Sequence, residues 1–227
     1  SGEQTVFIYT VQQSNTAAIN AIVDCLQHNT NRLLELSNNG ICFSLETQQF
    51  NFSFSMIDEN NWVYKEKIGY KNKLFVIGGG HCSLAFCKLM STMDFYIHLF
   101  EDRNSLNTFS QNEYVHEKTI VADYSELTNL ITSGKNHYVV VMTFGYRTDD
   151  IALKALINKQ FAYLGVLGSK SKINKMFENY KHLAMDDALL QSVYAPIGLP
   201  IQSKTPEEIA ISIAAEIIKI KNYWGLG

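Results

Sequence analysis

The sequence predicts an α/β fold, a parallel sheet with helices on both faces, preceded by a small N-terminal α+β unit. Three observations carry this. Leu74-Phe75-Val76-Ile77 runs without a break into Gly78-Gly79-Gly80 and then into apolar residues at helical spacing. From Lys73 onward, short apolar runs rich in β-branched and aromatic residues alternate with helical patterns, which specifies a parallel sheet under covering helices. Before Tyr70 the pattern differs: Phe50, Phe52, Phe54 and Met56 alternate with Asn51, Ser53 and Ser55, a period of two with one buried face. Residues 1–70 are therefore read as the small unit and residues 71–227 as a nucleotide- or cofactor-binding domain.

Taken in order, Thr5 to Thr10 has the composition of a strand. Asn15 to Leu36 reads as a helix, interrupted around Asn29-Thr30-Asn31 and ended by Asn38-Asn39-Gly40. Ile41 to Ile57 reads as β structure, and Trp62-Val63-Tyr64 pairs back after the turn chemistry of Asp58 to Asn61. After the glycine turn, Leu84, Phe86, Leu89, Met90 and Met93 are the inward residues of a helix. Phe95 to Phe100, Thr119 to Val121, His137 to Met142 and Phe161 to Gly165 are the further strands, with helices near Glu126 to Thr132 and through Leu153, Leu156 and Ile157. The last helix is signalled by a Thr205–Glu208 capping box with Pro206 at its first position. Ile209, Ile213, Ile217 and Ile220 form one apolar face, and Ile211, Ala214, Ala215 and Ile218 a second.

With 227 residues, 46% of them hydrophobic, 18% charged and a net charge of −3, the chain has an ordinary globular composition. That charge gives no reason to expect nucleic acid or an acidic membrane as partner. No apolar run is long enough to span a bilayer, and no secretory leader opens the chain. Cys25, Cys42, Cys82 and Cys87 form no CxxC pair and have no histidine at zinc spacing, so the expectation is a reduced, cytoplasmic protein without a metal site.

The candidate site lies where strands of the second unit end. A strand, a glycine turn and a helix in succession make Gly78-Gly79-Gly80 a Rossmann-like dinucleotide fingerprint. Gly78 permits the turn, and Gly80 lets a phosphate approach the free N–H groups of the first helical turn. Ser83 stands where the third glycine is usual. His81 opens the helix and is a candidate phosphate contact or acid–base group. Cys82 sits where a helix N-terminus would stabilise a thiolate. Glu101, with Asp102 beside it, ends the next strand about 20 residues on, where an acid holds the ribose hydroxyls. This favours NAD over NADP, although Arg103 keeps the choice open; the competing reading is a solvated acidic turn. Thr143-Phe144-Gly145-Tyr146-Arg147 follows the fourth strand, with Arg147 able to grip a phosphate and Asp149 to orient it. Gly168-Ser169-Lys170-Ser171-Lys172 is a second candidate anion site. No GxSxG elbow or lysine-bearing phosphate loop is present.

Several ordered motifs carry a more specific resemblance. Ile77-Gly78-Gly79-Gly80-His81, Val141-Met142-Thr143 with Gly145, Tyr163 to Lys170, Pro196-Ile197-Gly198-Leu199 and Lys204 to Ala210 followed by Ser212 to Glu216 occur in that order. Together they resemble the XdhC/CoxI family of maturation factors for xanthine dehydrogenase and carbon monoxide dehydrogenase, over residues 73–222. The usual N-terminal motif of that family has no match between Ser1 and Tyr70, and Phe144 and Tyr146 stand where histidine is common. The resemblance implies a Rossmann-like domain in a dimeric, cofactor-binding chaperone rather than a turnover enzyme. It also implies a molybdenum hydroxylase as client and molybdopterin or its dinucleotide form as ligand. By position, Gly78, Gly80, His81, Glu101, Thr143, Gly145, Gly168, Ser169 and Lys170 would line the site. The alternatives are an NAD(P)-dependent oxidoreductase, with His81 or Tyr146 as proton donor, and a scaffold that binds only its client.

Overall fold

A computed structural model describes residue 6 and residues 8–27, 30–44 and 52–224. The chain divides into two compact units, Ser1–Tyr70 and Lys71–Gly227.

In the first unit a single 3-10 turn leads into α1 (Thr16–Gln27), followed by β1 (Arg32–Ser37), β2 (Gly40–Ser44), β3 (Phe52–Asp58) and β4 (Asn61–Ile68). The four strands form an antiparallel sheet in the order β2-β1-β4-β3. Three sequence expectations are corrected here. The helix expected over Asn15–Leu36 stops at Gln27, and Leu33 and Leu36 belong to a strand. Arg32 to Ser37 alternates as well as it spirals, and pairing on both sides, with β2 and β4, decides in favour of the strand. Of the strand expected at Thr5–Thr10, Val6 and Ile8 to Thr10 form none, while Thr5 and Phe7 lie outside the described residues, as do Phe50 and Asn51.

The third correction concerns burial. Phe52, Phe54 and Met56 alternate as expected but are exposed. Register explains it: Phe54 lies opposite Tyr64, which lies opposite Leu36, whereas the buried Leu33 and Ser37 point to the other face of the sheet. β3 is also an edge strand, and α1 packs on β2 and β4.

The second unit contains β5 (Asn72–Ile77), α2 (His81–Met90), β6 (Phe95–Glu101), the short α3 (Asn107–Ser110) and β7 (Glu117–Ile120). A 3-10 turn at Tyr124–Glu126 and the one-turn α4 (Leu127–Leu130) follow in place of the longer helix expected there. Next come β8 (Gly134–Val141), α5 (Tyr146–Leu156), β9 (Phe161–Val166), α6 (Lys170–His182), α7 (Asp187–Gln191) and α8 (Pro206–Trp224). The sheet is parallel throughout, in the order β7-β6-β5-β8-β9. Tyr194 extends it by a single parallel bridge to Gly165, beyond β9.

Alternation along each strand divides the core in two. Phe75, Ile77, Phe100, Val139 and Val141 point to the face covered by α5 and α6, while Leu74, Val76, Ile97, Leu99 and Val140 point to the face covered by α2 and α8. Near-continuous apolar strands are what a sheet buried on both faces requires. α8 is anchored by its capping box: the Glu208 N–H donates to Thr205 Oγ1 at 3.2 Å, and the Thr205 N–H donates to Glu208 Oε2 at 3.2 Å. Its second apolar face is narrower than expected, because Ile211 is exposed. From that helix Glu216 reaches back, accepting from the Tyr163 hydroxyl at 2.5 Å and from the Gly198 N–H at 2.9 Å. Among the described residues no helix is long and apolar enough to cross a membrane.

Candidate functional site

β5 lies between β6 and β8, so the chain order reverses at its carboxyl end. In an open α/β sheet that reversal leaves a crevice, because the connections diverge to opposite faces. The glycine turn and the Thr143–Arg147 loop flank this switch point.

Gly78 has φ +103°, and a Cβ there would lie 2.5 Å from the Met142 carbonyl oxygen. Glycine is therefore required by both backbone conformation and the close approach of the β8 exit. Gly79 is pinned at both ends. Its N–H donates to Glu101 Oε2 at 2.6 Å, and its carbonyl accepts from Thr108 Oγ1 at 2.5 Å. Gly80 is different: a Cβ at this position would meet nothing within 4 Å. It is the N-cap of α2, and no side chain caps that helix. His81 is exposed and Ser83 is buried, so serine fills the place of the third glycine inside the helix–sheet contact. Across the crevice Gly145 is the N-cap of α5, and a Cβ there would also meet nothing within 4 Å. Two glycine-headed helix starts thus flank the switch point, each offering first-turn N–H groups to an anion.

The acid at the end of β6 is not free. Glu101 is fully buried; its Oε1 accepts from the Arg103 N–H at 3.1 Å and Nε at 2.6 Å, and its Oε2 accepts from Arg103 Nη2 at 3.1 Å as well as from Gly79. Burial pushes the carboxyl up. Hydrogen bonds from Arg103, Asp102 and the Gly79 N–H, with the Arg103 charge, outweigh it and hold Glu101 below the usual carboxylate range. Asp102 moves the other way, raised by burial and by its hydrogen bond and charge repulsion with Glu101. The expectation that Glu101 offers its carboxylate to ribose hydroxyls is corrected: both oxygens are taken, and it is no solvated turn either. Arg103 is what faces outward, with its guanidinium 5.4 Å from the ring centroid of Phe144.

The loop after β8 is held by a residue with a different task from the one expected. Asp149 is fully buried, accepts from the Thr143 N–H at 2.9 Å and hydroxyl at 2.6 Å, and pairs with Lys172. It does not orient Arg147, which is exposed; the Asp123 carboxyl, lowered first by its hydrogen bonds with Ser125, also feels the Arg147 charge. Tyr146 points to α6, where its hydroxyl accepts from Asn179 Nδ2 at 2.8 Å. The thiol of Cys82 is pushed up by burial and by the charge of Glu207, opposite to the thiolate expected from its place in the helix.

Gly168-Ser169-Lys170 is likewise explained without a ligand. Ser169 Oγ accepts from the Lys172 N–H at 3.2 Å and caps α6. Lys172 donates to Asp149 and to the Leu167 carbonyl, leaving Lys170 exposed beside the cap. The structure therefore brings Gly78, Gly79, Gly80, Glu101, Arg103, Thr143 and Gly145 to the switch point and closes the α6 start on itself. Sequence reasoning missed the Glu101–Arg103 and Asp149–Lys172 pairs. The two-residue spacing of the first is a local signal, whereas the second joins residues 23 apart in the chain. Among the described residues no group of histidine, cysteine and carboxylate side chains is placed to hold a metal ion.

A parallel sheet with this order and a glycine turn at its switch point defines a Rossmann-like domain. Residues 74–217 match the XdhC Rossmann domain, and the chain belongs to that family. It is 27% identical over 158 residues to the uncharacterized protein YqeB of Escherichia coli K12, covering 68% of this chain and 28% of YqeB. It is 25% identical over 164 residues to a probable xanthine dehydrogenase subunit of Bacillus subtilis 168, covering 72% of this chain and 47% of that protein. The chain thus spans less than half the length of these curated relatives. A crystal structure of a xanthine dehydrogenase from Bacillus halodurans superposes with a TM-score of 0.68 at 23% identity, over 93% of this chain and 66% of that one, which bears on the fold alone.

Proposed function

We propose that this chain is an XdhC-type accessory protein that serves a molybdenum hydroxylase, holding a molybdopterin or its dinucleotide form as cargo in the switch-point crevice. The single observation that carries the reading is the opposed pair of glycine N-caps, Gly80 and Gly145, each with open space where a side chain would stand. Such a cradle suits a ligand with phosphate groups, since first-turn N–H groups face the anion from two helices. The similarity to a protein named as a probable xanthine dehydrogenase component supports the choice of client. Holding and delivery ask only for binding and orientation, with no bond made or broken. His81 is at the mouth of the cradle on α2, and Glu101 fixes the turn through Gly79. A homodimer in a cytoplasmic setting completes the reading.

Thermal-shift titration of the full chain with molybdopterin, its dinucleotide form, NAD and NADP tests it. A saturable shift with the pterin compounds, unaffected by NAD or NADP, is expected. A large shift with a nicotinamide dinucleotide, together with hydride transfer to a substrate, would replace it with the oxidoreductase reading. Absence of any shift, with a client still captured in a pull-down, would leave a scaffold.

A further inference from the structure

We propose that Arg103 and Phe144 are the specificity element of the switch-point crevice, selecting a ligand in which a planar aromatic ring carries a phosphate. This deepens the cargo reading above and rests on it for the location of the ligand.

Three observations support the pair. First, both oxygens of Glu101 are occupied and Asp102 Oδ1 lies 3.7 Å from Arg103 Nε, so at the β6 end it is the Arg103 guanidinium that presents hydrogen-bond donors beside two acids. An arginine at this position is the usual means of accommodating a phosphate on the ribose side of a Rossmann crevice. Arg103 uses Nε and Nη2 on Glu101, and its Nη1 makes no hydrogen bond among the described residues, which leaves a donor edge for an incoming oxyanion. Second, Phe144 is 87% exposed in the loop that follows the buried strand β8. A large apolar ring so placed gains from being covered, and one face of it is already set against a guanidinium. Third, the two residues come from opposite sides of the switch point, β6 and β8, so that a ligand lying across the glycine turn meets both. Glu101 then has a positioning role: it ties the Gly79 N–H and the Arg103 guanidinium into one unit.

The test uses the full chain and two matched pairs of probes. One is the fluorescent oxidation product of molybdopterin, which keeps the pterin ring and phosphate monoester, and the same compound after phosphatase treatment. The other is NADP and NAD, which differ by one ribose phosphate. In the wild-type chain the phosphorylated pterin binds about tenfold more tightly than its partner, the discrimination of one charge-assisted contact. Arg103→Gln reduces the preference several-fold, leaving the part due to the helix N-termini, and Phe144→Ala weakens both members of the pair alike by several-fold. Because Arg103 neutralises a buried carboxylate, the double variant Glu101→Gln with Arg103→Gln repeats the measurement without a stranded charge. A preference undiminished in both arginine variants overturns the inference and leaves the cargo reading standing, whereas binding with no phosphate preference in the wild-type chain overturns both. A preference seen only in the NADP pair upholds the selection of phosphate and overturns the pterin as cargo. If neither pair binds, both fall.

Discussion

Glu101 and Asp149 share a design. Each is a fully buried carboxylate, Glu101 the last residue of β6 and Asp149 in the first turn of α5, and each is matched by a basic side chain, Arg103 or Lys172. Burying a carboxylate is costly unless it is paired and hydrogen-bonded, and both are. Each also binds a main-chain N–H of a loop beside the crevice, Gly79 for one and Thr143 for the other, so the site's geometry is stabilised before any ligand arrives. Replacing Asp149 by alanine strands the Lys172 charge and the Thr143 N–H, while the Thr143 hydroxyl keeps Thr148 Oγ1 within reach; a loss of roughly 3 kcal/mol in urea denaturation is expected. A loss below roughly 1 kcal/mol would mean that the pair is solvated and holds nothing. His98 supplies a pH-dependent effect. Burial, with the Lys73 charge, lowers its imidazole from 6.5 to about 4. The folded state therefore binds fewer protons than the unfolded chain between these values, and stability falls as pH drops through that window. Between pH 7 and 4 the cost from this residue is on the order of 1–3 kcal/mol. His98→Phe, which stays beside Phe75 and Phe100, should flatten the slope of stability against pH; an unchanged slope would assign it to other groups.

At the scale of elements, neighbouring glycines of one turn have separate tasks. Gly78 shapes the backbone and Gly80 keeps space open. Gly78→Ala forces a left-handed conformation on a residue with a side chain and drives its Cβ into the β8 exit, so the melting temperature should fall by several degrees. Gly80→Ala leaves the melting temperature near that of the wild type while weakening ligand binding at least several-fold, because its methyl group enters the cradle. The same loss of stability in both variants would contradict this division. The start of α8 offers a control away from the crevice. Thr205→Ala removes one half of the capping box and should cost about 1 kcal/mol in chemical denaturation, with ligand binding intact.

At the scale of the molecule, the two apolar clusters lie wholly within Lys71–Gly227, one on each face of the parallel sheet. In the first unit Cys25 and Leu33 are the buried apolar side chains among the described residues. Residues 71–227 expressed alone should accordingly unfold in one cooperative transition and keep the ligand response of the full chain. A broad transition with dye-binding apolar surface would show that the domain depends on residues 1–70. The five strands, the glycine turn and the α8 cap were all legible from periodicity and turn chemistry, because each signal is local. Arg32 to Ser37 was not, since its apolar residues fit either period and only pairing with β2 and β4 selects the strand.

By itself the sequence determined the alternating strands and helices, the place of the glycine turn, and the ordered motifs that mark an XdhC Rossmann domain. These follow from backbone sterics and from which residues avoid water, properties that each short stretch carries with it. Tertiary structure decided which charged groups are spent and which are left for a ligand. Glu101 and Lys172 read as site residues along the chain, yet Glu101 is consumed by Arg103 two residues on and by the distant Gly79 N–H, and Lys172 by Asp149, 23 residues away. Arg103 and Phe144 come to the mouth of the crevice only because the sheet sets β6 and β8 on either side of β5. Electrostatic pairing depends on separations of a few ångströms between elements, and those are fixed only when the sheet is assembled and its two faces are packed.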